Sequence, residues 1–528
     1  IGPGINPGHG LQADINQEME GLFTDVTSEA GIDYIDSEAD FVDFNIQKLI
    51  PHKLSEAGPY MAAGDIDNDD YEDFIAGGSS HRSAQIFFQD RKGIFHRKAL
   101  LSNTELPAKK WDDMGILLFD ADGDGDNDLY IVSGGYENRP NSEAYCDHFY
   151  VNDGKGNFTE DRKAIPLNYT SKACIKAADY DGDGDMDLFI SGRVMPWNYP
   201  RPVSSFIYRN DSGNGKVLFT DVTREVAPDL INIGMVSDAL FTDLNKDNMP
   251  DLVISGEWMP LTIFINEKGR FRNITASSGL SGYAGWWTSL VSGDFDNDGD
   301  VDFIAGNLGL NSFYRASEDC PVSIYSGDFD NNGSYDAFTA VYIITSQDDR
   351  EKKSYPSMGR DDIIREMIQM RSRFQNYKSL AGTTIDNLFS EEQHDKALVL
   401  KANYLQSSFI RNDGNNSFSI IPLPSQAQLS ALNGMIADDL NSDGNLDILV
   451  NTNDYSTEVM TGRYDALNGL VMLGNGHGGF HPLSIAESGI FLPGNGKSMV
   501  KIKGAGESYL VAAASNRGPL KIVALNKD

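Results

Sequence analysis

Short apolar runs alternate with acidic, glycine-rich loops along most of the chain. Ile116-Leu117-Leu118-Phe119 precedes one such loop, 120–128, and Leu129-Tyr130-Ile131-Val132 follows it. Runs this short, bounded by turn residues, predict β-strands. The unit around that loop reads strand 114–119, acidic loop, strand 129–134 and strand 148–152. The turn 153–157 follows, and Phe158 opens a last strand. Equivalent third strands are expected at 84–89, 205–210, 261–266 and 407–412. The phrase Leu22-Phe23-Thr24-Asp25-Val26-Thr27 returns at Leu218-Phe219-Thr220-Asp221-Val222-Thr223 and, looser, at Phe271-Arg272-Asn273-Ile274-Thr275. Internal repetition therefore organises the fold.

The loops carry oxygen-bearing side chains at positions 1, 3, 5 and 9. The first two give Asp65, Asp67, Asp69, Asp73 and Asp120, Asp122, Asp124, Asp128. The third and fourth give Asp179, Asp181, Asp183, Asp187 and Asp243, Asn245, Asp247, Asp251. The remaining three give Asp294, Asp296, Asp298, Asp302; Asp328, Asp330, Asn332, Asp336; and Asp439, Asn441, Asp443, Asp447. Carboxylates this close repel one another unless a hard divalent cation sits among them, and Ca²⁺ suits an all-oxygen set. Position 6 is Gly in five loops and Asp70 or Asn248 in the others, residues that tolerate a left-handed turn. Position 7 varies freely (Tyr71, Asp126, Asp185, Met249, Asp300, Ser334, Asn445), as expected where only the main-chain carbonyl binds metal. The flanking strands and the acid at position 9 exclude an EF-hand, which needs helices and a glutamate at position 12. Up to seven Ca²⁺ ions are expected.

Four antiparallel strands about every 50–65 residues describe the blades of a β-propeller. The fold expected is all-β, with the acidic loops between strands 1 and 2 of each blade, eight blades favoured and seven the alternative. Residues 1–20 read as a linker or disordered lead-in, and 21–528 as one propeller. Two intervals break the rhythm. Asp294 to Asp328 is so short that the fifth unit is expected to have a shortened outer edge. Asp328 to Asp439 leaves room for an insertion over 345–395, where Ile364, Met367, Ile368, Arg371 and Phe374 fall at helical spacing. Near the C-terminus, 499–502, 509–514 and 520–525 keep the strand rhythm without an acidic loop. The early 22–27 segment is expected to supply the missing fourth strand and close the ring.

Composition sharpens this picture in three ways. The net charge of -35 argues against nucleic acid and anionic membrane surfaces as partners. Loading every loop with one Ca²⁺ returns about 14 of those charges, so the acidity is largely metal chemistry. Three cysteines, Cys146, Cys174 and Cys320, show no Cys-x-x-Cys pattern and signal neither a zinc site nor a disulfide framework. No apolar run approaches the roughly 18 residues of a membrane span. The chain opens at Ile1 rather than Met, which reads as a portion of something longer.

The phrase Gly64-Asp65-Ile66-Asp67-Asn68-Asp69-Asp70-Tyr71-Glu72-Asp73-Phe74-Ile75-Ala76-Gly77-Gly78 resembles the FG-GAP/VCBS repeat proteins, which include the integrin α head. Gly256-Glu257-Trp258-Met259-Pro260, Gly285-Trp286-Trp287, Gly306-Asn307-Leu308-Gly309-Leu310-Asn311 and Gly462-Arg463-Tyr464-Asp465-Ala466 extend the likeness. They bring it towards bacterial surface proteins grouped with cartilage acidic protein and the ASPIC/UnbV proteins. That resemblance implies an extracellular place, on a bacterial outer membrane or secreted, within a longer lipid-anchored polypeptide. It implies no shared ligand or activity.

Strand 1–2 loops gather on one face of a propeller, and strand 2–3 loops on the other. The second face holds the candidate ligand residues Trp111, Arg193, Glu257, Trp258, Trp286, Trp287 and Arg463, aromatic surfaces beside charged groups. The same residues could instead wedge neighbouring blades together. The eight histidines are scattered, and no Gly-x-Ser-x-Gly or His-Glu-x-x-His motif occurs. The function expected is a non-enzymatic binding or assembly module with a glycan, peptide or envelope-protein partner. The alternative is a calcium-dependent polysaccharide lyase, with His52-Lys53 and Arg193 as conceivable parts.

Overall fold

The structure, a computed structural model, describes residues 21–213, 215–344 and 352–526. The lead-in over 1–20 and the start of the insertion, 345–351, lie outside the described residues. Eight antiparallel sheets form, each built on four strands, as the repeats predict. Seven of them form a ring. Their first strands touch in the order Met61–Gly64, Asp112–Phe119, Ile175–Ala178, Met235–Thr242, Ser289–Gly293, Leu432–Asp438, Asn495–Gly504 and back to Met61–Gly64. We number these blades 1 to 7 in that order.

Blade 7 has no acidic loop. Its strands 495–504, 508–516 and 521–525 are completed by Phe23–Asp25, which pairs with Lys521–Leu525 in the register Thr24 to Ala524. The N-terminal segment therefore closes the ring, and both chain ends lose a free sheet edge there.

The second strands explain why each loop is followed by a continuous apolar run rather than an alternating one. Asp73–Ala76, Asp187–Ile190, Asp251–Met259 and Asp302–Gly306 are buried at every position. Each is covered on both faces by neighbouring blades, so neither face needs polar side chains. First strands line the axis, and in blades 1, 3 and 5 their loop-proximal halves carry small residues: Ala62-Ala63-Gly64, Ala177-Ala178 and Ser292-Gly293. These positions are half-exposed along the channel.

The eighth sheet sits outside the ring. Its strands run in the order Lys352–Pro356, Asp336–Ile344, Val322–Gly327, Leu398–Ala402. The whole sheet is inserted between the second and third strands of blade 5, because Asp302–Gly306 pairs with Ser408–Asn412. This corrects two expectations. Blade 5 keeps a complete outer edge, Ser408–Asn412 and Phe418–Pro422, displaced by about a hundred residues of sequence. The segment expected as a third strand of the sixth unit belongs to the fifth. Strand pairing depends on where the chain returns, not on its local pattern, so the sequence could not place it.

Side chains of the inserted sheet alternate with the period of two expected of a strand. Val322, Ile324, Ala337 and Val341 pack on the ring, against Trp258 at the end of the second strand of blade 4 and Tyr136, Tyr199, Leu308 and Tyr464 from the strand 2–3 connections of four other blades. Phe338 and Ala340 point away, into short helices spanning Arg360–Glu366 to Glu391–Lys396 that supply Ile363, Met367, Ile385 and Leu388. Within the described part of the 345–395 insertion, helices begin at Arg360, and Lys352–Pro356 is a strand of the sheet. The sheet and its helices form a lid on the ring face opposite the ring's own six acidic loops, and the seventh, Asp328 to Asp336, joins two strands of the lid itself.

Candidate functional site

The seven acidic loops share one backbone design. The position 1 carboxylate accepts the main-chain N–H groups of positions 5 and 6, as Asp179 does from Asp183 at 3.1 Å and Gly184 at 3.0 Å. Position 5 accepts the N–H of position 7, as Asp183 does from Asp185 at 3.0 Å. The buried position 9 carboxylate accepts the N–H of position 2 and, in blades 1 to 6, one from the end of the third strand. Asp187 takes Tyr180 at 3.3 Å and Asn210 at 2.8 Å. Position 3 differs: one oxygen each of Asp67, Asp122, Asp181, Asp296 and Asp330 is buried without a hydrogen-bond partner.

Buried polar atoms are normally paired, so five orphans at one repeat position call for a missing ligand. Three carboxylates come within 4.8 Å of one another in each of those five loops, for example Asp65, Asp67, Asp73 and Asp294, Asp296, Asp302. The donor set is all oxygen, and the residues fit a hard divalent cation. In the loops at Asp243 and Asp439 position 3 is Asn245 or Asn441, and its Oδ1 accepts the position 5 N–H at 2.9 and 3.0 Å. Those two loops satisfy themselves more fully.

The acidities follow the same division. Burial, then the charges of the loop carboxylates, pushes Asp73, Asp128, Asp187 and Asp302 up to about 7. Asp251 and Asp447, in the loops with asparagine, are pushed up only to about 6. One fewer anion leaves less repulsion to relieve.

Position 7 side chains do more than their variability suggested. Asp126 accepts from Asn68 of the preceding loop at 2.5 Å, Asp300 meets Lys246 at 2.5 Å, and Asn445 accepts from Asn297 at 2.9 Å. These contacts tie the loops of blades 1 and 2, 4 and 5, and 5 and 6. The last residue of the third strand adds a deeper tie. Asn152, Asn210, Asn266 and Asn412 each donate to the position 2 carbonyl of the preceding blade's loop. Sequence reading ended strands at these asparagines without seeing that role, although their recurrence was visible.

On the opposite face a cavity of about 320 Å³ lies on the ring axis beneath the lid. It is lined from all seven first strands and from the strand 2–3 connections. Arg193, Glu257, Trp286 and Trp287 come together there. Trp258 packs beside Trp286 with ring centroids 4.9 Å apart and donates through Nε1 to Tyr199 Oη at 2.7 Å. Trp111 lies elsewhere, stacked on His148 at 3.9 Å, and Arg463 is exposed over the Tyr455 ring at 4.6 Å.

Glu257 is the hub of the cavity wall. It accepts from Arg193 through Oε1, and from His52 and Tyr199 through Oε2 at 3.0 Å each. Burial opposes its ionisation, but the neighbouring charges of Arg193 and His52 outweigh that and hold it below the usual carboxylate range. His52 Nδ1 faces the Lys53 carbonyl at 2.9 Å, so both ring nitrogens meet acceptors and the imidazolium is the matching form. Burial disfavours that charge, and Glu257 raises the His52 pKa nonetheless. Lys176 pairs with Asp238 at 3.0 Å and Lys53 with Glu56 at 2.7 Å. Sequence reasoning missed Lys497 entirely, because it sits in the blade without an acidic loop. Cys146, Cys174 and Cys320 are all free thiols.

With this geometry in view, residues 120–190 and 243–305 match the family described as FG-GAP-like repeat. The chain therefore carries FG-GAP-like repeats on a β-propeller. No curated protein matches it. Among solved structures it is similar to an Agrocybe aegerita lectin that recognises non-reducing terminal N-acetylglucosamine, at 13% identity and TM-score 0.40, covering 90% of this chain and 92% of that one. It is similar to the V. cholerae biofilm matrix protein Bap1 at 11% identity and TM-score 0.36, covering 94% and 91%. YCF48 bound to D1 peptide matches at 10% identity and TM-score 0.40, covering 94% and 100%. Among the described residues no helix is long and apolar enough to cross a membrane.

Proposed function

We propose that this protein is a calcium-stabilised binding or assembly module whose acidic loops fix the ring and whose opposite face carries the recognition groups. The observation behind this reading is the set of five buried, unpartnered position 3 oxygens, each facing two further carboxylates. Ca²⁺ in those loops supplies positive charge and completes their coordination. The aspartates at positions 1, 3, 5 and 9 and the carbonyl at position 7 would hold it. Asp243, Asn245, Asp247, Met249 and Asp251, with the corresponding residues from Asp439 to Asp447, form the two weaker candidates.

Function follows from rigidity. Blades held in register by loop-to-loop contacts present a fixed set of strand 2–3 connections, which suits a glycan, a peptide or an envelope protein. An extracellular place on a bacterial surface, where calcium is plentiful, agrees with loops of this kind. Thermal unfolding with and without chelator tests the metal half. An unchanged midpoint would defeat it, since a ligand held only by the native state must raise stability. The rival is a polysaccharide lyase using His52 or Lys53 beside Arg193. Calcium-dependent release of unsaturated products from acidic polysaccharides would replace the binding reading with that one.

A further inference from the structure

The cavity under the lid has an unusual hydrogen-bond balance. Arg193, Trp286 and Trp287 line it, and each has one buried polar atom with no partner: Arg193 Nη1 and both indole Nε1 atoms. All three are donors. No residue lining the cavity has a buried acceptor in the same condition. Trp287 Nε1 sits beside Gly285, 2.9 Å from where a Cβ there would lie, and does not contribute. Arg193 Nη1 and Trp286 Nε1 remain.

Lys497 adds the decisive charge. It lines the same cavity, and among the described residues no hydrogen bond or ion pair reaches its ammonium. The other cations are matched: Arg193 by Glu257, Lys176 by Asp238 and Lys53 by Glu56. Burial lowers the Lys497 pKa, and the Asp454 charge offsets that only in part. Lys497 is half-buried, and an anion beside its ammonium would gain a charge-assisted hydrogen bond. Trp286 and Tyr314, with ring centroids 4.8 Å apart, and Met61, Met435 and Met499 give the remaining wall an apolar character.

We propose that the capped cavity is a binding site for a small organic monocarboxylate, held by Lys497, Arg193 Nη1 and Trp286 Nε1. The size admits one sugar-sized body at the lower end of ligand pockets. The lining cations Arg193, His52, Lys53, Lys176 and Lys497 outnumber the carboxylates Glu56, Asp238, Glu257 and Asp454 by one, so a monoanion fits and the second charge of dianionic phosphate finds nothing to balance it. This deepens the binding-module reading and rests on it.

The test is calorimetry and thermal shift on the whole chain at saturating Ca²⁺ and constant ionic strength. Galacturonate is the primary probe, with glucose, acetate and inorganic phosphate as controls. Galacturonate is expected to bind and raise the midpoint, acetate to do so weakly, and glucose and phosphate to have no effect. Lys497→Met leaves no partner orphaned and should weaken galacturonate about tenfold or more, the scale of a lost charge-assisted hydrogen bond. Trp286→Phe keeps the ring and should weaken it by a smaller factor. Equal effects of galacturonate and glucose, binding of phosphate alone, unchanged affinity in Lys497→Met, or no binding at all would each overturn the proposal. A chelator arm run without galacturonate reads the calcium half separately, so failure of either is distinguishable.

Discussion

Asn266 Nδ2 donates to the main-chain oxygen of Tyr180 across 2.7 Å, joining the third strand of blade 4 to the acidic loop of blade 3. The same amide donates to Pro250 O at 3.1 Å, and its Oδ1 accepts from Gly269 N at 2.8 Å. One side chain thus satisfies two loops and a hairpin. Asn266→Ala leaves two buried carbonyls and an N–H unpaired, and is expected to cost about 1–3 kcal/mol. Denaturant unfolding at saturating Ca²⁺ measures it. A loss as small as that of an exposed asparagine would show that the inter-blade bond is incidental.

The position 3 carboxylates give a prediction with opposite signs in two conditions. Without metal, Asp122 adds repulsion to Asp120 and Asp124. Asp122→Asn is therefore expected to leave metal-free stability unchanged or slightly higher. With Ca²⁺ the same variant loses a ligand, so the calcium-induced rise in midpoint shrinks and titration shows one strong site fewer. A variant that is equally destabilised in both conditions would assign Asp122 to packing instead.

Much of this was legible in the sequence, and the reason is local. A nine-residue loop with acids at fixed positions encodes its own turn, its cluster of carboxylates and the strands on either side. The closing role of the 22–27 segment was legible because its phrase matched the fourth-strand slot of other units. What escaped were relationships between distant residues. Gly306 and Ser408 flank an entire inserted sheet, yet nothing in either neighbourhood distinguishes a return to blade 5 from a new unit. Lys497 was invisible for the complementary reason: its importance is the absence of a partner, which only packing reveals.

Lys172 and Asp147 form an ion pair at 3.0 Å with both side chains fully buried. Lys172 also donates to the carbonyls of Tyr145, Asn168 and Thr170, and Asp147 accepts from Ser133 N. Lys172→Met strands a buried carboxylate and is expected to cost about 3–5 kcal/mol. Adding Asp147→Asn should recover part of that loss. No recovery in the double variant would place the cost in the three abandoned carbonyls rather than in the charge.

Glu38 gives a pH dependence. Its Oε1 accepts from Asn516 Nδ2 at 2.8 Å, tying the N-terminal segment to blade 7. Burial, then the charges of Asp36 and Asp112, pushes its pKa up to about 8 from an ordinary 4.5. The native state therefore holds a proton that the unfolded chain releases, and stability falls as pH rises from 4.5 towards 8. Glu38→Gln keeps the acceptor and removes the titration. Its midpoint should match the parent near pH 4.5 and exceed it increasingly up to pH 8, with Ca²⁺ saturating throughout. A constant offset at every pH would remove Glu38 from the dependence.

The lid can be separated from the ring. The first strands close their cycle without the inserted sheet, and Gly309 N donates to Leu405 O at 2.8 Å, so the two halves of blade 5 already meet below it. Replacing residues 311–403 by a short glycine-containing turn should leave a folded seven-bladed ring. Its β-type circular dichroism and calcium-dependent midpoint are expected to persist. Trp258 and Trp286, each 5% exposed in the intact chain, lose the cover of Val322, Ile324, Tyr314 and Ala402. Tryptophan emission should therefore move to longer wavelength. Collapse of the β signal would make the inserted sheet part of the ring's own stability, and unchanged emission would mean that the lid does not cover those indoles.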